Sequence, residues 1–186
     1  MSSTVLQKTW YRPSLMIFTK NQPVESNAVD GSWFIGDTAG TDYLFLTDDS
    51  RAPLDVSVER IEFRNRMING RMRTYHVADK KSFSTSWENL PSQVDGISET
   101  RKNPNSAWAA GKEMLSWYQD HSDSFWLMLV YDTNDPEKET GGVVADIPIR
   151  YRVETYNVFF ESFNYTITKR GQLYDFWNVS MSLVEA

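Results

Sequence analysis

The feature that most constrains the fold is a two-residue alternation of side chains on either side of the dipeptide Asn69-Gly70. From Val58 to Met67, apolar and charged side chains point in opposite directions, with Ile61, Phe63 and Met67 against Arg60, Glu62, Arg64 and Arg66. Asn-Gly is a strong hairpin signal because both residues tolerate the positive φ of a type I′ turn. The pattern predicts a β-hairpin that returns over Met72 to Val77 and whose apolar side fixes its base in the core.

The same alternation predicts strands along most of the chain. "SFSTSWENLP" places Phe83, Thr85 and Trp87 on one side, and "SFWLMLVYD" (124–132) is typical of a central strand buried on both faces. We expect at least two strands within 143–171. The predicted closing strand, in "LYDFWNVSMSLVEA", places Trp177, Val179, Met181 and Leu183 on one side and Asn178, Ser180 and Ser182 on the other. Two further strands are expected in "SLMIFTKN" and "DYLFLTDDS" near the N-terminus.

One helix is predicted over about 107–120, entered through the capping sequence Pro104-Asn105-Ser106. Its expected buried stripe consists of Trp108, Leu115 and Tyr118, widened by Met114 and Trp117. The intervening segments 93–106 and 134–142 have loop composition. The sequence therefore predicts a mainly β fold, an antiparallel β-sandwich or barrel with one flanking α-helix, in a single domain spanning 1–186.

Composition narrows the functional classes. The chain has 186 residues, 40% of them hydrophobic, which is enough for a sizeable core. No cysteine is present, so disulfides, thiolate metal sites and thiol nucleophiles are excluded. No signal peptide or membrane-spanning stretch is recognisable in the sequence, and we expect a soluble protein that does not contact membranes.

No residue pattern predicts catalysis. The two histidines, His76 and His121, have no companions at metal-ligand spacing, and surface positions explain them more simply. Asp48, Asp49 and Asp55 could supply a hydrolase with carboxylates or bind calcium, but solvated turn residues are the commoner explanation. The sequence thus predicts a protein that is not an enzyme, with no catalytic residue, cofactor or metal. A hydrolase built on these loop carboxylates stays an alternative.

The seven tryptophans give a second alternative of another class. Exposed indoles could stack on sugars and make the protein a carbohydrate-binding module. Aromatic residues at alternating strand positions are more often core residues, which is the interpretation we favour.

Charge is strongly segregated along the chain. Residues 60–81 carry seven lysines and arginines against Glu62 and Asp79, whereas the whole chain has a formal charge of −6. A solvated strand face is one explanation, and a nucleic-acid groove is a second, although the acidic chain shows no recognition helix. We favour self-association, in which the basic hairpin of one copy contacts an acidic surface of the next. The predicted subunit interface comprises Arg64, Arg66, Asn69, Gly70, Arg71, Arg73, Lys80 and Lys81.

Two segments carry a family resemblance. "INGRMRTYHVADKKSFSTSWENLP" (68–91) and "ITKRGQLYDFWNVSMSLVEA" (167–186) resemble segments of the tail structural proteins of tailed bacteriophages, in particular small tail tube-like proteins. The first is similar to their long hairpin and following strand, and the second to their closing strand. The chain is longer than simple tube proteins, so the N-terminal region and the 93–106 loop are expected to be elaborations.

The resemblance implies a structural role. It implies copies that join into rings, most simply hexamers, which stack into a hollow tail tube through which the genome passes without sequence-specific binding. Expected partners are sheath, tape-measure or baseplate proteins, and the expected location is the virion tail, with assembly in the host cytoplasm. A distal tail, baseplate or tail-terminator ring protein of the same fold is the nearest alternative.

Overall fold

The computed structural model describes residues 4–6, 14–27, 32–38, 40–48, 50–93, 108–131, 152–172 and 174–186. They form eleven strands and one helix. In chain order these are β1 (Thr4–Leu6), β2 (Ser14–Thr19), β3 (Val24–Asn27), β4 (Ser32–Gly36), β5 (Tyr43–Leu46), β6 (Asp55–Arg66), β7 (Met72–Pro91), β8 (Trp108–Ala109), α1 (Gly111–Asp120), β9 (Phe125–Tyr131), β10 (Arg152–Arg170) and β11 (Asp175–Glu185). Within the described residues, no helix has the length and apolar character needed to cross a membrane.

Eight strands form one large sheet in the order β6-β7-β11-β10-β9-β2-β5-β8. All neighbouring pairs are antiparallel except β5 and β8, which run parallel. A smaller antiparallel sheet has the order β1-β4-β3. The predicted class, mainly antiparallel β with one helix, is confirmed.

The large sheet curls until β7 meets the chain that follows β5. Arg51 forms an isolated bridge with Trp87, and the Ala52 N–H donates to the Ser86 carbonyl at 2.8 Å. The buried Trp87 indole N–H donates to the Thr47 carbonyl at 2.7 Å. These bonds close a barrel-like wall around a single apolar interior.

The main core lies inside this wall and is capped by α1. Met114 and Trp117 on the helix are buried against side chains of the curled sheet. Gly111 allows the close approach, because a Cβ at this position would lie 2.6 Å from the Trp177 ring. The strand residues of this core are Met16, Phe18, Leu44, Leu46, Phe83, Trp87, Leu90, Ala109, Phe125, Leu127, Leu129, Val158, Trp177, Val179, Met181 and Leu183.

A second, smaller core covers the other face of the large sheet. Ile35 of β4 packs there with Tyr43 and Phe45 of β5 and with Met128 and Val130 of β9. Strand β9 thus contributes alternate residues to both cores. The prediction of a central strand buried on both faces is confirmed.

Two strands expected around residues 72–77 and 82–91 are one. Strand β7 runs unbroken over 20 residues through Asp79, Lys80 and Lys81. The charged residues stay extended because β6 pairs with all of them, including Glu59 with Lys80 and Arg60 with Asp79. The predicted placement of Phe83, Thr85 and Trp87 on one side of the strand is confirmed, and that side is buried.

The helix begins later than predicted. Trp108 belongs to β8, where it pairs with Phe45, so the helical pattern that included this residue was wrong. The Ala110 N–H donates to the Glu113 side chain at 3.2 Å, which satisfies one backbone group at the helix start. Met114 and Trp117 form the buried stripe, while Tyr118 is exposed. The predicted capping sequence 104–106 lies outside the described residues.

The remaining strand predictions are confirmed in some segments and differ from the structure in others. The closing strand is confirmed, and the side that carries Trp177, Val179, Met181 and Leu183 is buried. Both N-terminal strands are confirmed as well. Strand β4 lies in a Gly- and Asp-rich segment for which no strand was predicted. From Arg152 onward, the segment expected to hold at least two strands forms a single strand of 19 residues. Residues 143–151 and the loops at 94–106 and 134–142 lie outside the described residues.

Candidate assembly surface

The β6–β7 hairpin extends beyond the rest of the sheet. Strand β11 accompanies β7 only as far as the pair Val184 and Ser82. Beyond that pair, residues 59–80 form a two-stranded ribbon, which we call the arm. At a rise of about 3.3 Å per residue, the arm projects about 30 Å from Glu59 to the turn.

One side of the arm carries apolar side chains that the described part of the chain leaves exposed. Ile61, Phe63 and Tyr75 share this side, because Phe63 pairs directly with Tyr75. Phe63 is 67% exposed, and Ile61 and Met67 are each 40% exposed. The prediction that Ile61, Phe63 and Met67 anchor the hairpin in the core is therefore wrong. The alternation was real, but no other element of the described chain packs on its apolar side.

The opposite side of the arm carries charges that partly pair with one another. The Asp79 carboxylate accepts hydrogen bonds from His76 Nε2 at 2.9 Å and from Arg60 Nε at 3.2 Å. These bonds, that of His76 first, lower the pKa of Asp79 below its usual value. Arg64 forms an ion pair with Glu62. Arg64, a predicted interface residue, therefore has a partner within its own strand.

The tip of the arm carries positive charges that the described part of the chain does not compensate. Arg66, Arg71 and Arg73 are exposed, and their guanidinium groups form no ion pair with any residue that the structure describes. Exposed apolar residues lie between them, namely Met67, Ile68 and Met72. A partner surface for this tip would combine carboxylates with apolar contacts.

The turn differs in type from the prediction. Gly70 has a φ of 77°, whereas Asn69 is not among the residues with positive φ, which excludes type I′. The Gly70 N–H donates to the Met67 carbonyl at 2.9 Å, and the Met67 N–H donates to the Arg71 carbonyl at 2.8 Å. This is the pattern of a type I turn followed by a left-handed residue. Asn69 instead accepts a hydrogen bond from the Arg71 N–H at 3.1 Å.

The two predicted lysines, Lys80 and Lys81, lie at the root of the arm, where it leaves the large sheet. Both contact the rest of the described chain, which we call the body. Lys81 Nζ donates to the Tyr156 hydroxyl at 2.7 Å and lies 4.5 Å from the centre of its ring. The hydrogen bond raises the pKa of Lys81, and burial raises the pKa of Tyr156. Lys80 Nζ contacts the Ala186 carbonyl oxygen. Neither lysine extends outward with the arginines of the tip.

The arm leaves both apolar side chains and strand edges exposed. A two-stranded ribbon is only marginally stable alone in water, and its open edges present unpaired backbone groups. Every residue of β6 except Glu62 is exposed, including Val58 and Phe63. Contact with another chain would cover apolar side chains and pair backbone groups together.

Two of the three carboxylates considered for hydrolysis or calcium binding, Asp48 and Asp55, lie in the described part of the chain. Asp48 forms an ion pair with Arg51 at 2.7 Å, and Asp55 is exposed at the start of β6. Asp49 lies outside the described residues. Among those that the structure describes, no three His, Asp or Glu side chains are placed to hold a metal ion. His76 bonds Asp79, as described above, and His121 stacks on Trp117 at 4.0 Å.

The five tryptophans whose side chains the structure describes are buried or half-buried. Trp87, Trp117 and Trp177 are buried, and Trp33 and Trp126 are half-buried. A sugar-stacking platform needs exposed indole faces, which the buried Trp87, Trp117 and Trp177 do not offer. Their placement favours the core interpretation.

Comparisons with known proteins give a likeness in structure. Neither a protein-family model nor a curated protein matches the chain. Solved structures do match, and one is a chain from the tail of an empty gene transfer agent particle obtained by helical refinement with C6 symmetry. It is 10% identical, with a TM-score of 0.44, and the match covers 92% of this chain and 90% of that one. A likeness of this degree does not define a function.

Proposed function

We propose that this protein is a structural protein of a bacteriophage-type tail, whose copies assemble into stacked rings that form the tail tube. The observation that carries the proposal is the arm, which projects both apolar and basic side chains that its own chain leaves exposed. A free monomer gains nothing in stability from an exposed Phe63 or Tyr75. A second copy that covers them gains both apolar burial and charge complementarity.

The charge distribution supports head-to-tail contact between identical copies. Residues 60–81 have a local excess of positive charge, and the remainder of this acidic chain is strongly negative. A basic arm on an acidic body makes the two surfaces of one molecule complementary. Contacts between different surfaces of identical copies close into rings or continue as helical filaments.

The resemblance to tail tube-like proteins gives this assembly its context. The two resembling segments, 68–91 and 167–186, form neighbouring strands, since Leu183 of β11 pairs with Phe83 of β7. In the proposed tube, a hexameric ring repeats along the tail, and the genome passes through a lumen whose net negative charge disfavours DNA binding. Sheath, tape-measure or baseplate proteins are the proposed further partners.

Electron microscopy of the purified protein over a range of concentrations tests the proposal. We expect rings that stack into tubes of indefinite length. Rings that never stack would indicate a terminal or baseplate ring of the same fold. Monomers at every concentration, together with absence of the protein from purified virions, would contradict the proposal.

A further inference from the structure

The arm leaves the large sheet at one position along β7, next to Ser82. At Ser82, β7 still has β11 on one side and β6 on the other, but from Lys81 outward only β6 remains. Two-stranded ribbons twist and bend readily without a third strand or a packed face. The direction of the arm therefore depends on contacts at its root.

One set of root contacts crosses from β7 to β10. The Lys81 ammonium donates to the Tyr156 hydroxyl, which in turn donates to Glu154 Oε2 at 2.7 Å. The Tyr156 ring also packs on Phe83, with 4.9 Å between ring centres. Because β10 is not adjacent to β7 in the sheet, this chain of contacts braces the arm against a strand two positions away.

A second set fastens the same root to the end of β11. The Lys81 backbone N–H donates to Glu185 Oε2 at 2.9 Å, and Lys80 reaches the Ala186 carbonyl. The Ala186 N–H donates to the Asn157 carbonyl at 2.8 Å, which joins this end to β10. Both residues that lead into the arm on β7 are thus tied to the body.

We propose that Lys81 and Tyr156 are positioning residues, which fix the direction of the arm in the free monomer and so set the fraction of molecules ready to bind a second copy. The proposal rests on the self-assembly proposed above. When only a fraction of molecules is binding-competent, the apparent affinity falls by that same fraction. If loss of the brace leaves about a tenth of the arms correctly directed, the concentration needed for assembly rises about tenfold.

Arm direction can be measured in the monomer by pulsed electron spin resonance. The chain has no cysteine, so Ile68→Cys at the arm tip and Gln119→Cys on the exposed helix surface would give one label pair. We would compare Lys81→Met and Tyr156→Phe with Lys112→Met, the same lysine-to-methionine change on the exposed surface of α1. The concentration for assembly would be measured on the unlabelled variants.

We expect a broadened distance distribution and about tenfold weaker assembly for Lys81→Met and for Tyr156→Phe. Lys112→Met should leave both the distribution and the assembly concentration unchanged. Lys81→Arg, which keeps a hydrogen-bond donor, should match the parent in both measurements. A distribution for Lys81→Met as narrow as that of the parent would overturn the proposal. So would broadening without any effect on assembly. Broadening in a protein whose parent never assembles would instead contradict the proposed function and leave the brace itself supported.

Discussion

Position in the sheet, rather than residue type, decides whether an aromatic side chain stabilises the monomer. Phe83 and Phe63 both lie in the β6–β7 hairpin, but Phe83 is 1% exposed and Phe63 is 67% exposed. Replacing the buried ring leaves a cavity in the main core, whereas replacing the exposed ring removes few contacts within the chain.

We therefore expect Phe83→Ala to lower the free energy of unfolding by about 3–5 kcal/mol. Phe63→Ala, the identical change on the arm, should alter it by no more than about 0.5 kcal/mol. Urea unfolding of the monomer measures both. Equal losses for the two variants would show that the arm packs on its own body.

Asp79 gives a pH-dependent prediction at the same scale. Its pKa is lowered in the folded protein, so its bonds stabilise the arm above the unfolded pKa and this contribution is lost as pH falls through the folded pKa. NMR titration should place the pKa of Asp79 below 3.8, the ordinary value of an aspartate. His76→Ala should raise it, because His76 makes the largest contribution, while Glu88→Gln on the body should not move it. An unchanged midpoint in His76→Ala would contradict the observed hydrogen bond.

At the scale of elements, the alternation of apolar and charged side chains predicts strands but does not predict which elements cover them. The pattern of residues 58–67 predicts a strand with one apolar side, and β6 has that side. Whether Ile61 and Phe63 are buried depends on a second layer, which local sequence does not encode. The helix start is a similar case, because Trp108 suits a helical stripe but its backbone pairs with Phe45, a residue distant in sequence.

The candidate surface was also predictable only in part, because the local sequence shows residue types but not the contacts that they make. The excess of arginine and the Asn-Gly turn are visible in the sequence, and the structure exposes Arg66, Arg71 and Arg73 as expected. The pairing of Arg64 with Glu62 and the contacts of Lys81 with Tyr156 depend on side-chain geometry. The Tyr156 contact in particular joins strands that are far apart in sequence.

Removing the arm tests whether it is an independent element. Joining Glu59 to Lys80 through a new Asn-Gly turn deletes residues 60–79 and keeps the pair at which the arm begins. We expect the shortened protein to unfold at nearly the same temperature as the parent, because few core contacts are lost, and to remain monomeric in mass photometry. Cooperative loss of the body's structure on deletion would mean that the arm is required for folding.

At the scale of the whole molecule, the proposed assembly depends on the separation of a basic arm from an acidic body. Exposed ion pairs contribute about 0.2–1 kcal/mol each and are screened by salt. A single arginine substitution should therefore have a mild effect on assembly. Several substitutions together should have a large effect, because their summed loss of ion pairs is repeated at every interface of a ring. The arginines to change together are Arg66, Arg71 and Arg73, which have no ion pair in the described part of the chain.

Sedimentation velocity of the triple variant Arg66→Glu, Arg71→Glu, Arg73→Glu tests this claim most directly. Its matched control is Lys20→Glu, Lys112→Glu, Lys169→Glu, which makes the same change in net charge at exposed positions of the body. We predict that the parent and the control sediment as large assemblies that dissociate at high salt, while the arm variant sediments as a folded monomer. Assemblies of normal size from the arm variant, or equal loss in both variants, would contradict the account.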